Sequence, residues 1–158
     1  MEKLSPSAQR VQDALAAMGY QNVVVEHEQT TRSAREAAQA IGCSLGQIVK
    51  SLIFRTKDSH RPVLVLASGP NRVNETRLSE LVMEAIERAD PDFVHAVTGY
   101  AIGGVPPVGL PYPLTTFLDE DLMQFDEIWA AAGTPNAVFK LTPVEMAAMT
   151  GGQVVSIK

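Results

Sequence analysis

Cysteine is almost missing from this chain. Its 158 residues include one, Cys43, so no intramolecular disulfide can form and a cysteine-based zinc cluster is excluded. Long apolar runs are missing too. None approaches the roughly 18–20 residues of a membrane-spanning helix, and the opening stretch MEKLSPSAQR lacks the apolar core of a secretion signal. A reducing, cytoplasmic setting with no membrane partner is expected. Nor is there an excess of base: the formal net charge is −5, which argues against a general nucleic-acid-binding protein. The three histidines, His27, His60 and His95, have no zinc-type spacing, so no metal is expected. No Walker-type phosphate loop, G-x-S-x-G elbow or G-x-G-x-x-G fingerprint is present. There is also no internal repeat, linker or low-complexity tract. What remains is a chain that is 46% hydrophobic and 20% charged, able to bury a real core and expected to form one domain over residues 1–158.

The pattern of elements can be read from caps and periodicity. Ser5-Pro6 is an N-cap followed by proline at the first helical position, and Val11, Leu15 and Met18 recur at helical spacing before Gly19. Val23 to Val25 reads as a short strand and Ala34 to Ile41 as a helix closed by Gly42. QIVKSLIFRT and RPVLVLAS, separated by the polar KDSH, predict a hairpin of two buried strands with His60 in its turn. Leu78, Leu81, Val82 and Ile86 predict a helix from about Asn74, interrupted before Asp90. Asp90-Pro91 opens a short helix, carrying His95, that ends at Gly99. LTTFLDE, EIWAAAGT and NAVFKL read as strands. Thr142-Pro143-x-Glu145 is a capping box for a helix to about Met149, and QVVSI is a last strand. Strands joined partly by turns and partly by helices point to α+β with a mixed, largely antiparallel sheet.

Three features bear on chemistry. Eight basic residues (Arg32, Arg35, Lys50, Arg55, Lys57, Arg61, Arg72 and Arg77) share the span from Arg32 to Arg77 with three acidic ones (Glu36, Asp58 and Glu75). This is either solvated surface or a local site for a phosphate-bearing ligand in an otherwise acidic chain. Lys50 sits inside the apolar IVKSLIF. It either faces solvent at an alternate strand position or lines a pocket and holds an anion, since lysine is rarely buried without a partner. The stretch TGYAIGGVPPVG sets Gly103 and Gly104 just before Pro106 and Pro107, with Ala101 and Ile102 leading in like the end of a strand. It is either a turn between strands or a backbone preorganised to aim N–H groups at a carbonyl oxygen. Cys43 has no obvious base nearby, which weighs against a catalytic thiol.

GQIVKSLIF together with TGYAIGGVPPVG resembles the YbaK-type family of aminoacyl-tRNA editing domains, which includes free-standing proteins and the editing insertion of bacterial prolyl-tRNA synthetases. The family's marks are a lysine on a central strand and a G-x-x-x-P loop, here Lys50 and Gly103 through Pro107. SGPNRVNETRL and AAGTPNAVFKL follow in family order, and the resemblance spans about Val23 to Val155. It implies a curved, barrel-like mixed sheet flanked by helices, with a pocket between the Lys50 strand and the GGVPP loop. It implies a free-standing deacylase that removes a wrong small amino acid from tRNA, from tRNA-Pro or a related tRNA, without metal or organic cofactor. The implied partners are the acceptor end of an aminoacylated tRNA and an aminoacyl-tRNA synthetase. The implied roles are positive charge from Lys50, polarisation of the scissile carbonyl by Gly103 and Gly104, and loop rigidity from Pro107. Asn71, Arg72 and Gly133 are weaker candidates for the substrate pocket. Two other readings stay open: a non-catalytic module that binds acceptor ends or nucleotides, and an ester hydrolase acting on a small metabolite.

Overall fold

The computed structural model describes residues 3–28 and 33–158. In chain order the elements are α1 (Pro6–Ala17), β1 (Val24–Glu26), α2 (Ala34–Ile41), β2 (Val49–Thr56), β3 (Pro62–Ser68), α3 (Glu75–Val82), β4 (Ile86–Arg88), α4 (Pro91–Thr98), β5 (Thr115–Asp119), β6 (Ile128–Ala131), β7 (Ala137–Leu141), α5 (Pro143–Thr150) and β8 (Gln153–Val155). Short 3₁₀ turns, Leu45–Gln47 and Glu120–Gln124, precede β2 and follow β5.

The strands form two sheets, where a single curved one was expected. One is β1-β7-β6, antiparallel throughout. The other is β4-β2-β3-β5-β8. In the second, β2 pairs antiparallel with β3 and β4, while β3-β5 and β5-β8 are parallel. The parallel pairs follow from the connections. The chain runs through α3, β4 and α4 before β5, and through β6, β7 and α5 before β8, long enough to return in the same direction. No closed barrel forms among the described residues. The sheets meet where Ile48 bridges Trp129.

β3 is the central strand, and its sequence says why. Val63 to Ala67 are at most 2% exposed. Leu64 and Leu66 enter the larger core with Leu118, Phe139 and Ile53. Val63, Val65 and Ala67 face the opposite side, against Phe54, Leu78 and Phe117. With both faces buried, a near-continuous apolar run replaces strict alternation.

Two expectations are corrected. Ile86 is not helical: α3 stops at Val82, Met83 takes a left-handed φ of 62°, and Ile86 begins β4 on the edge of β2. Ala101 and Ile102 do not end a strand; they lie in the turn after α4.

The β2–β3 turn explains part of the basic segment. The Glu84 carboxylate accepts from Ser59 N–H at 2.7 Å, Ser59 Oγ at 2.8 Å and Arg61 at 3.3 Å. His60, at φ 56°, sits in this turn, so His60 and Arg61 belong to the hairpin tip. Those bonds, led by the Ser59 N–H, hold Glu84 down at about 2 instead of 4.5. A carboxyl depressed on folding stabilises above its unfolded pKa and loses that contribution as pH falls through its folded one. Stability should therefore drop between about pH 4.5 and 2. Urea midpoints of the parent and Glu84→Gln should differ most above that window and converge near its lower end. A difference independent of pH would refute the assignment.

Candidate active site

The site forms on the seam between the sheets. β2 is paired with β3 along one edge. On the other edge it meets Trp129 at Ile48 and β4 only from Phe54, with Ala89 N–H reaching Ile53 O at 3.2 Å. Between those points the strand has no strand partner on that edge among the described residues. A pocket of about 430 Å³ occupies the gap, within the range of small-ligand sites. Its walls are Ile48 and Val49 to Leu52 of β2, the start of α2, the loop at Ile102, Gly103 and Val105, and Trp129 to Ala131 with Val138 of the other sheet.

α2 covers the seam for a local reason. Ser33 caps it by accepting from Glu36 N–H at 3.0 Å, and Gly42 closes it at φ 84°. Ala37 and Ala38 are its buried face, packed on Ile48 beside Trp129. The small side chains let the helix approach, and Ala34 and Ala37 become pocket wall.

Lys50 lines this pocket and is half-buried. Its Nζ donates to the Asn71 carbonyl at 2.5 Å. An ammonium has three donors, so two remain for a ligand. Burial, then the neighbouring Arg88 and Arg72 charges, pulls the Lys50 ammonium below its ordinary titration range, while the Asp119 carboxylate acts in the opposite sense. The strand lysine therefore faces the pocket and is not a freely solvated residue.

The glycine-proline loop connects α4 to β5, not strand to strand. It is fastened at several points. Arg10 donates to Gly99 O at 3.0 Å and stacks over the buried Tyr100 ring at 4.4 Å. Gly104 N–H bonds Ala101 O at 3.0 Å, and Gly133 N–H bonds Gly104 O at 2.8 Å. Val105 through Val108 are buried. Gly103 is exposed in the pocket wall at φ 90°, a conformation that favours glycine, and its N–H has no hydrogen-bond partner among the described residues. Of the two loop amides expected to meet a carbonyl, Gly103 is the one left available. Gly104 lies behind it: a Cβ there would come within 2.9 Å of Thr134 N.

The structure thus brings Lys50 and Gly103 together and sets the other candidates around them. Pro107 is buried and faces a separate concavity with Leu64 and Met149, not this pocket. Gly133 supports the loop through its N–H and does not line the pocket. Asn71 reaches the site through its carbonyl, and exposed Arg72 acts on it through charge. The basic span does not form one patch. Arg55 pairs with Glu87 at 3.1 Å, Arg61 is held by Glu84, and Arg32 lies outside the described residues.

Sequence reasoning missed several wall residues. Ser51 adjoins Lys50, and its Oγ is buried without a hydrogen-bond partner among the described residues. Ala130, Ala131, Val138 and Trp129 come from strands distant in sequence, so no local motif marks them. Arg88 was missed because it lies beyond the basic span. No group of three or more His, Cys, Asp and Glu that could hold a metal occurs among the described residues, and no helix there is long and apolar enough to cross a membrane.

Cys43, half-buried after α2, is absent from the pocket wall. Burial pushes its thiol up. It should therefore alkylate at neutral pH more slowly than a free thiol, and Cys43→Ala should leave the pocket's chemistry intact. Alkylation faster than free cysteine would reinstate it as a nucleophile.

Comparison with known proteins bears on this arrangement. Residues 28–149 match the family described as the aminoacyl-tRNA editing domain. An uncharacterised Bacillus subtilis protein, YwhH, is 32% identical over 126 residues, 80% of each chain. A candidate Cys-tRNA(Pro)/Cys-tRNA(Cys) deacylase of Enterococcus faecalis is 27% identical over 126 residues, covering 79% of this chain and 76% of that protein. A crystal structure of a candidate trans-editing enzyme for prolyl-tRNA synthetase superposes with a TM-score of 0.93 at 50% identity, over 99% of both chains.

Proposed function

Because the chain belongs to the aminoacyl-tRNA editing-domain family, we propose that it is a free-standing trans-editing deacylase, hydrolysing the ester between a small, wrongly attached amino acid and tRNA-Pro or a related tRNA. The observation that carries this reading is one pocket holding both the Lys50 ammonium and the Gly103 N–H, which has no partner among the described residues. The Enterococcus relative and the prolyl-tRNA synthetase-linked structure support the substrate class.

In the proposed reaction the aminoacyl group enters between α2 and β6. The terminal nucleotide lies toward Lys50, Arg72 and Arg88. Water adds to the ester carbonyl, and the oxygen that gains charge faces the Gly103 N–H. The C–O bond to the ribose then breaks, the ribose oxygen takes up a proton, and a free amino acid leaves. Metal is not needed, because the developing charge meets a fixed amide dipole and a nearby cation in a partly dry site. The walls are small and apolar at Ala34, Ala37, Ala130 and Ala131. They select against bulk, whereas one methyl or hydroxyl contributes only about 1–3 kcal/mol of discrimination. The acceptor end is the proposed partner; a synthetase would supply it.

The decisive experiment is a deacylation panel of tRNAs charged with alanine, cysteine, serine, threonine and proline. On the best substrate, Lys50→Ala should abolish hydrolysis and Lys50→Arg recover it only in part, because a planar fork does not replace a compact ammonium. Normal hydrolysis by Lys50→Ala would overturn the role.

Gly104→Ala tests the loop. The added Cβ pushes against the Gly133–Thr134 backbone and displaces the Gly103 amide. Losing one such donor costs about 10²–10³ in rate. Single-turnover hydrolysis should therefore fall at least about 100-fold while the protein still melts cooperatively. A parental rate would assign these glycines to the chain's path alone.

A further inference from the structure

We infer that Asn71 is the positioning residue of the pocket lysine and that buried Asp119, with Asp121, clamps it in place. The inference rests on the editing reading for its effect on rate, but not for the clamp itself.

Lysine has a long flexible stem, and a strand fixes only its base. Here its far end is fixed by the Asn71 carbonyl. That carbonyl is in turn held by the side chain of the same residue. Asn71 Nδ2 donates to Asp119 Oδ2 at 2.7 Å and to Asp121 Oδ2 at 2.7 Å, so both amide protons are used. Asn71 N–H closes the turn onto Ser68 O at 2.9 Å. Ser68 N–H donates to the same Asp119 Oδ2 at 2.9 Å. One carboxylate oxygen thus ties both ends of the turn that follows β3. It comes from β5, the parallel neighbour in register with β3.

Asp119 is fully buried, and its other oxygen accepts Asp121 N–H at 2.9 Å. Bonds to N–H donors make a buried carboxylate tolerable. Asp121 is half-exposed and pairs with Lys158 Nζ at 2.9 Å, so those two charges largely offset each other. The groups that act on the ammonium are then Arg88 from β4 and Arg72 from the turn, both opposing it, and Asp119 from β5, supporting it. A turn needs only backbone bonds to close. This one carries a buried anion where a half-buried cation docks, which is the arrangement a positioning device requires.

The test uses the full chain with Asp119→Asn, Asp121→Asn and Asn71→Ala. Three quantities are read: a thermal melt, the pH dependence of Lys50 acetylation by acetic anhydride measured by mass spectrometry, and single-turnover deacylation against pH. Removing the supporting anion disfavours the ammonium. In Asp119→Asn the Lys50 labelling curve should move to lower pH. Activity that needs the ammonium is present below the lysine pKa and lost above it, so the alkaline limb should move the same way. The neutral-pH rate should fall at least about tenfold. Asp121→Asn should do the same to a smaller extent. Asn71→Ala keeps the carbonyl but frees it, and should lower the single-turnover rate and move the Lys50 labelling curve to lower pH, because the ammonium loses its fixed acceptor. It decides the matter if Asp119→Asn does not fold. Folded variants with parental labelling and parental rates would overturn the clamp. If the parent deacylates no charged tRNA, the editing reading fails and the labelling curves still decide the clamp.

Discussion

A half-buried ammonium on an apolar strand is the constraint around which the rest of this molecule is arranged. Lys50 stands between buried Val49 and half-buried Ser51, opposite Ala67 in the β2–β3 ladder. Moving a charge from water toward such surroundings is costly unless donors and counter-charges replace the lost hydration. The protein replaces part of it, with one carbonyl and one nearby buried carboxylate. It leaves the remainder open toward a pocket, and adds two guanidiniums that work against the ammonium. A stability-optimised fold would not do this. On the editing reading, this incompletely satisfied cation and the Gly103 N–H, which has no partner among the described residues, share one pocket open to an oxygen-rich group.

The seam between the sheets follows from the same need. Had β2 been paired along its whole length by β4, the Lys50 stretch would have no open edge. β4 is only three residues long and meets β2 at Phe54 to Thr56. α3 ends early, at a left-handed Met83, so that β4 can start where it does. Further back along the same edge, Ile48, just before β2, bridges Trp129 of β6. The gap between the two contacts holds the pocket. Its roof is the loop after α4, which is fastened by Arg10, Gly133 and the buried run from Val105 to Val108. The loop thus lines the pocket at Ile102, Gly103 and Val105, while the run from Pro106 to Val108 is buried away from it.

This division explains how much the sequence disclosed. Elements with strong local signals were legible. The Thr142–Glu145 capping box, the hairpin around KDSH and the helix stops at Gly42 and Gly99 all depend on contacts within a few residues. Lys50 and the loop stood out because each breaks a local rule, a cation in an apolar strand and paired glycines beside paired prolines. The boundary at Ile86 was misread because its apolar spacing fits a helix, and only pairing with β2 makes it a strand. Wall residues such as Ala131 and Val138 carry no local signature, since they line the site only after two sheets meet. Asn71 was a pocket candidate, but its bond to Asp119 was hidden: 48 residues separate them, and they meet only because β5 lies parallel to β3.

Charge placement bears on how such a site would meet a polyanion. The chain is acidic overall, at −5, so its far field does not attract nucleic acid. Arg55 and Arg61 are taken up by Glu87 and Glu84. Arg72 and Arg88 make no salt bridge among the described residues, and both act on Lys50. These two guanidiniums thus act on the pocket lysine without a carboxylate partner of their own among the described residues. At physiological salt, screening confines such a field to about 8 Å. That range covers a phosphate or two of a strand end but not a folded RNA body. On the editing reading, recognition would then rest on the acceptor end and its amino acid, with the tRNA body contributing little attraction. On the same reading, weak capture would suit action in trans: correctly charged tRNA would not be held, and only an aminoacyl group that fits between α2 and β6 would stay long enough to be hydrolysed.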